Sequence, residues 1–262
     1  MVKKNIEMPL PKIILDDDLF STQEQRDDMK KEKVNEIELD KIDDFPYHPF
    51  KVIDNEEMKQ MVDSISENGV LVPTLVRPKE NGRYEMISGH RRKFASELAG
   101  LETIPCIVRD LTNDEATIIM VDSNMQREKI LPSEKAFAYK LKMEALSHQG
   151  KNITSGQVVR KLETTDIIGK ENDESGRQVR RYIRLTNLVP QILQMVDNDA
   201  LKLSPSMALN PAVEISYLKE EEQKELLDIM ECFVCTPSLS QAQDFKRLSC
   251  LLYTSDAADD LI

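Results

Sequence analysis

Residues 165–186 read TDIIGKENDESGRQVRRYIRLT, and this stretch decides how the second half of the chain is understood. Ser175 followed three residues later by Gln178 has the form of a capping box, so a helix should begin at Gly176. Arg177, Arg180, Arg181 and Arg184 then recur at i, i+3, i+4 and i+7 and share one face. Val179, Tyr182, Ile183 and Thr186 share the opposite face. Such a helix docks on a core by its apolar side and offers its charge outward. Ahead of it, Thr165 to Asn172 reads as a short helix and Asp173-Glu174 as a tight turn. The pattern predicts a helix-turn-helix over 165–186, its second helix entering the major groove of double-stranded DNA. Ser175, Arg177, Gln178, Arg180, Arg181 and Arg184 are the expected contacts. Arginine suits the task because it holds phosphates and reads guanine in a bidentate manner.

The charge balance around this stretch supports that reading. The chain has 262 residues and a formal net charge of −12. From Lys151 to Pro190, however, eight Lys and Arg stand against five Asp and Glu, about +3. The predicted basic helix face carries no carboxylate of its own. The competing reading is a solvated surface helix that happens to be basic.

Working outward, strand signals vanish after Pro132. Pro132-Ser133 opens a helix to about Leu146, and Thr154-x-x-Gln157 opens another with Val158, Val159 and Leu162 facing inward. Further helices are expected near 190–197 and 220–231. Toward the N-terminus the pattern changes. Val34 to Leu39 alternates like an edge strand, and Phe45 to Phe50 is a loop stiffened by two prolines. Met58, Met61, Val62 and Ile65 mark a helix that Asn68-Gly69 should end with a left-handed cap. Leu71–Arg77 and Tyr84–Ser88 read as strands joined through Asn81-Gly82. Helix 90–99 ends at Gly100, strand 104–109 follows, and Thr112-x-x-Glu115 caps a helix to about Asn124. The fold class is therefore α+β. A flexible arm (1–35) precedes a small mixed α/β domain (36–130) and an all-helical domain (131–250). Residues 251–262, LLYTSDAADDLI, break with what precedes them and read as a non-native tail.

Composition narrows the class. Apolar residues make up 40% of the chain, enough for packed cores. No apolar run is long enough to span a bilayer, and no secretory segment opens the chain. Four scattered cysteines suit a reduced, cytoplasmic setting. Cys232-x-x-Cys235 lacks a second ligand pair for zinc and reads as two half-buried thiols near a helix end. Cys106 reads as core.

Two further stretches carry chemistry. Ser88-Gly89-His90-Arg91-Arg92 joins a strand to a helix N-terminus, where unpaired backbone amides favour an anion. Gly89 lets a phosphate approach the backbone, and Arg91 and Arg92 add charged donors. Ser123-Asn124-Met125-Gln126-Arg127 ends the following helix. Asn124 and Gln126 can hydrogen-bond or ligate, and Arg127 can neutralise. Together they suggest a site for an oligophosphate. There is no P-loop signature.

On these residues the chain resembles the ParB/RepB-type partition proteins, especially those of plasmids and mobile elements of Firmicutes. The resemblance runs from about Leu15 to Leu248. Its markers are Glu67-Asn68-Gly69, Val76-Arg77-Pro78, Gly89-His90-Arg91-Arg92, Asn124-Met125-Gln126-Arg127, Ser175 to Val179, and Asn210 to Glu214. It implies binding of a centromere-like DNA site and of CTP with Mg2+ in a clamp that slides along DNA. It implies nucleotide contacts at Gly69, Ser88, Gly89, His90, Arg91, Arg92, Asn124, Gln126 and Arg127, with Asn124 also toward the metal. It implies a ParA-type ATPase partner, a homodimer, and a place on the nucleoid or a plasmid rather than a membrane. Three positions depart from the family. Ser123 stands where glutamate is common, His90 where the turn usually has an acid, and His48-Pro49-Phe50-Lys51-Val52-Ile53 where Asn-Pro-x-Gln-Pro-Arg is usual. Nucleotide binding tolerates these changes better than hydrolysis, so CTPase activity stays open. Two other classes compete: a transcription regulator without a nucleotide switch, and an enzyme of the related sulfiredoxin-type fold.

Overall fold

The computed structural model describes residues 33–52, 54–127, 129–149 and 157–259. The expected arm, with its docking segment at Leu15 to Phe20, lies outside the described residues up to residue 32, and its last residues, Val34 and Asn35, belong to a strand. The cap at Thr154 and the faces of Val158, Val159 and Leu162 also lie outside the described residues.

The N-terminal part is built on a five-stranded mixed sheet. Its strands are β1 (Val34–Glu38), β2 (Ile42–Asp43), β3 (Thr74–Pro78), β4 (Tyr84–Ser88) and β5 (Thr103–Val108), in the order β1-β5-β3-β4-β2. β1 is an edge strand, as the alternation of Val34 to Leu39 predicts. β3 and β4 pair antiparallel, while β3 runs parallel to β5. The connection between β3 and β4 closes with Lys79 N donating to Arg83 O at 2.8 Å, and Gly82 takes a φ of 76°. β3 starts at Thr74 rather than Leu71, because Leu71 and Val72 are exposed and pair with no strand. Met86 and Ile87 are both fully buried but face different clusters on the two sides of β4.

Helices α1 (Glu56–Asn68) and α2 (His90–Leu98) pack together through Met58, Ile65 and Ala95. Gly69 ends α1 with φ 69° but ψ −171°, so it is not the left-handed cap expected. Its positive φ still favours glycine. α3 (Asn113–Met125) opens with the expected capping box: Thr112 Oγ1 accepts from Glu115 N at 3.3 Å, and Glu115 Oε2 accepts from Thr112 N at 2.9 Å.

The helical part comprises α4 (Pro132–Gln149), α5 (Gln157–Glu171), α6 (Gly176–Leu185), α7 (Pro190–Leu201), α8 (Leu209–Ile215), α9 (Glu220–Phe233) and α10 (Leu239–Asp259). α5 is one continuous helix, where two separate helices were expected. The helical propensity of Glu163 to Asp166 contains no breaker, and the first true interruption is the turn after Glu171. α8 and α10 were not anticipated. α8 is a single short piece containing Pro211, and α10 shows little amphipathic pattern. The backbone of α10 continues through Leu251 to Asp259, so helical structure does not set the expected tail apart. A buried cluster of Leu185, Ile192, Met207, Ile215 and their neighbours holds α6 to α9 together.

A few polar ties lock the helices. Asp197 of α7, buried, accepts from Ser133 N at 2.9 Å and Ser133 Oγ at 2.6 Å, which caps α4. Gln223, also buried, accepts from Val189 N and donates to Asn187 O and Leu218 O. Lys142 of α4 is ion-paired with Asp122 of α3 and with Glu171 of α5, the latter at 2.6 Å. Burial opposes the charge on Lys142, but the two carboxylates outweigh it and raise its pKa. Through this residue the α/β part is joined to the helix that precedes α6. Cys106 is buried in β5, whereas Cys232 and Cys235 are exposed rather than half-buried, as are Phe233 and Val234 where α9 ends.

Candidate functional site

Gly89 is required by its surroundings. Its φ of 114° and ψ of 18° lie in the left-handed region, and a Cβ would fall 2.6 Å from Thr74 Cγ2. Lacking a side chain, Gly89 cannot cap α2 through one, and among the described residues no side-chain cap bond forms there. That leaves a helix N-terminus with its positive end unspent. Ser88, half-buried, is the last residue of β4 and delivers the chain into this turn.

The two arginines after the turn do different work. Arg91 is half-buried, with Nη2 3.5 Å from Glu57 Oε2 on α1. Arg92 instead donates through Nη1 to the carbonyls of Val72, at 2.5 Å, and Pro73, at 2.7 Å. It braces the segment that leaves Gly69, and its Nη2 lies beside the Gly89 turn, 3.3 Å from where a Cβ on Gly89 would sit. Burial lowers the Arg92 pKa. Arg127, beyond the end of α3, joins Arg91. Burial lowers the Arg127 pKa first, Glu134 opposes that, and the charge of Arg91 adds to the lowering. Two guanidinium groups that disfavour one another are relieved by an anion between them. The Arg127 guanidinium lies 5.4 Å from the centroid of Phe50.

His90 does not face outward. Its ring is buried against His48, with centroids 3.9 Å apart. His48 Nδ1 donates to Phe50 O at 2.8 Å, and the Nε2 atoms of both rings are buried without a hydrogen-bond partner. Burial, then the neighbouring His48, pushes the His90 pKa down to about 3. Burial also lowers that of His48. Asn124 is buried, and its Nδ2 donates to Met120 O at 2.8 Å, while Gln126 and Ser123 are exposed. The structure thus gathers Gly89, Arg91, Arg127 and the His48–His90 pair. It commits Arg92 to backbone carbonyls, and it separates Gln126 toward solvent.

Two residues that hold this arrangement went unnoticed in the sequence. Lys93, buried, donates to Asp44 Oδ1 at 2.8 Å. Glu134, buried, accepts from Lys51 N at 2.8 Å and from Leu131 N at 3.1 Å. They fix the loop bearing His48 and Phe50 at both ends. The Asp44 and Lys51 contacts join residues distant in sequence, so no local spacing signals them, whereas Leu131 and Glu134 are three residues apart.

The second cluster lies on α6. Ser175 Oγ accepts from Gln178 N at 3.2 Å, which is half of the expected capping box. The other half is absent because the Gln178 side-chain oxygen accepts from Arg181 Nη1 at 3.0 Å. Arg177 is exposed. Arg180 donates to Thr165 Oγ1 at 2.7 Å and lies 3.5 Å from Asp166 Oδ1. Arg184 donates to Ser216 O at 2.8 Å, and its guanidinium stacks 4.0 Å from the centroid of Tyr217. The stripe is therefore not unbroken. Arg184 turns toward the α8–α9 turn, and a carboxylate reaches the basic face from α5. Asp173 occupies the turn with φ 55°, a conformation aspartate tolerates. On the opposite face Val179 is fully buried beside Ile168 and Tyr139, with Tyr182 and Ile183 packed against them.

These features define a class: a mixed α/β unit with an anion-ready turn, followed by a helical unit presenting a basic helix. Residues 23–125 match the family model of the ParB N-terminal domain. The chromosome-partitioning protein Spo0J of Thermus thermophilus is 34% identical over 184 residues, covering 69% of this chain and 62% of that protein. Stage 0 sporulation protein J of Bacillus subtilis is 31% identical over 182 residues, covering 70% of this chain and 59% of that protein. A solved structure of C-terminally truncated ParB from Caulobacter crescentus, complexed to the centromeric parS site, is 22% identical with a TM-score of 0.45. It covers 81% of this chain and 98% of that one. The chain belongs to the ParB family. It spans about 60% of the length of the curated relatives it matches. Among the described residues, no helix is long and apolar enough to cross a membrane.

Proposed function

We propose that this chain is a site-specific DNA-binding partition protein in which a CTP-binding unit, about residues 36–130, controls a helix-turn-helix unit, about residues 131–250. The observation that carries the proposal is the separation of two cationic clusters. Arg91 lies in the first turn of α2, and its charge acts on Arg127 beyond the end of α3, while Arg177, Arg180 and Arg181 lie on α6. One suits a compact polyphosphate, the other an extended duplex.

At the first site the amides of α2 and the two guanidinium groups would hold the triphosphate. Gly89 is required there by its φ of 114° and by Thr74, which fills the space a Cβ would take. The fit for Mg2+ is poorer. Among the described residues no group of three or more His, Cys, Asp or Glu is placed to hold a metal. Asn124 has no carboxylate partner at Ser123, and magnesium sites usually include one or two carboxylates. No step is assigned to a metal, and hydrolysis is not part of the proposal. The link from Asp122 through Lys142 to Glu171 supports communication between the sites, because it ties α3 to α5 directly. A ParA-type ATPase partner, self-association as a homodimer, and segregation of a plasmid or chromosome complete the reading.

A second reading, a regulator without a nucleotide switch, shares the DNA interface and predicts no nucleotide binding. Titration calorimetry with CTP, ATP and GTP, with and without a cognate duplex, separates them. CTP binding that Arg91→Ala abolishes, with DNA binding retained, supports the clamp. Absence of CTP binding under both conditions removes the clamp and leaves the regulator.

A further inference from the structure

Among the described residues, Arg180 is the member of the basic face with anchors on the preceding helix. Thr165, buried on α5, accepts from Arg180 Nη1 at 2.7 Å. Asp166 Oδ1 stands 3.5 Å from the same nitrogen. The carboxylate also lies against the start of α6, since a Cβ on Gly176 would fall 1.7 Å from Asp166 Oδ1. A Cβ on Gly169 would fall 2.6 Å from Glu174 O. The crossing of α5 and α6 is thus close enough that glycine is needed at both positions, and this closeness sets the anchors relative to α6. The Arg180 side chain remains 40% exposed. It is held at one end and open at the other.

Resting on the DNA-binding reading, we infer that Thr165 and Asp166 are positioning residues that preset the Arg180 guanidinium for base contact and keep indiscriminate phosphate contact off the start of α6. A flexible arginine loses conformational freedom when it docks, and one already held by a buried hydroxyl loses less. The Thr165 bond therefore favours the one geometry that a cognate site demands. The charge of Asp166 acts differently. It occupies the end of α6 where backbone amides would otherwise attract a phosphate, and it repels the backbone of any duplex that offers no compensating base contact.

The test uses the full chain and two duplexes. One is selected by the wild-type protein from a random-sequence pool, and the other is a shuffled duplex of equal length and composition. Binding is read by fluorescence anisotropy over a salt series, with thermal midpoints measured alongside. Thr165→Val should weaken the selected duplex about three- to tenfold and leave the shuffled duplex unchanged. Thr165→Ser should restore the loss. Asp166→Asn should tighten the shuffled duplex and steepen its salt dependence by up to about one unit in log–log slope. The inference is overturned if Thr165→Val weakens both duplexes alike, if Thr165→Ser does not rescue, or if Asp166→Asn leaves the shuffled duplex and its slope unchanged. If the wild-type protein enriches no sequence and binds neither duplex, the DNA-binding reading itself fails.

Discussion

His90 shows how much one side chain depends on its burial. The imidazole sits against His48, and its folded pKa of about 3 lies well below the ordinary 6.5 because burial disfavours the charged ring. Between those two values the unfolded chain binds a proton that the folded chain refuses. Stability from this residue is therefore fully present above about pH 6.5 and is lost as pH falls toward 3. Urea midpoints measured between pH 7.5 and pH 4.5 should fall steadily for the wild-type protein, and His90→Gln should flatten that fall. An unchanged slope in the variant would show that His90 takes up its proton alike in the folded and unfolded chains. Asp44, Lys93 and Arg127 also act on this ring, and Lys93 and Arg127 both oppose its charge.

At the scale of the element, the turn between β4 and α2 is the most constrained junction near the first site. Gly89 combines a φ of 114° with contact to Thr74. Gly89→Ala should therefore cost about 2 kcal/mol or more, through both backbone strain and the clash. Chemical denaturation measures that cost directly. A companion Thr74→Ser change, which removes the clashing methyl, should recover part of it. Full recovery would mean the backbone strain is negligible. The α5–α6 pair shows a related rule, because Gly169 and Gly176 permit a crossing that brings side chains of one helix onto the other. Local capping is visible at the start of α6, where Ser175 accepts from Gln178 N, yet the reach-back of Gln178 is diverted to Arg181.

For the whole molecule, Lys142 is the shared cation between the α/β part and α5. It is almost fully buried, while Asp122 and Glu171 remain about half exposed. Lys142→Ala removes a packed side chain and leaves two carboxylates without their common partner. The expected loss is about 1–3 kcal/mol, read as a lowered midpoint in thermal unfolding. If Lys142 carries communication between the two clusters, the variant should also uncouple nucleotide binding from DNA affinity while each ligand still binds alone. Retained coupling would assign that role elsewhere, for example to the packing of α3 on α4.

The linear sequence determined the elements whose signals are local. Periodicity marked α1, α6 and the hairpin strands. The Thr112–Glu115 capping box and the glycine punctuation at Gly69, Gly82, Gly89 and Gly100 set several boundaries. The opposed faces of residues 176–186 were legible for the same reason, since residues three and four apart on a helix share a side whatever surrounds them. The tertiary structure decided where each charge is spent. Arg92 and Arg184 read as free cations, but backbone carbonyls claim both, at Val72 and Pro73 and at Ser216. His90 stands where the family resemblance implies a nucleotide contact, and its ring is buried against His48. Asp166 enters the basic face from another helix. Each of these depends on contacts between residues far apart in the chain or on separate elements. Spacing along one element carries no information about them, because burial and hydrogen-bond partners are set only once the elements pack.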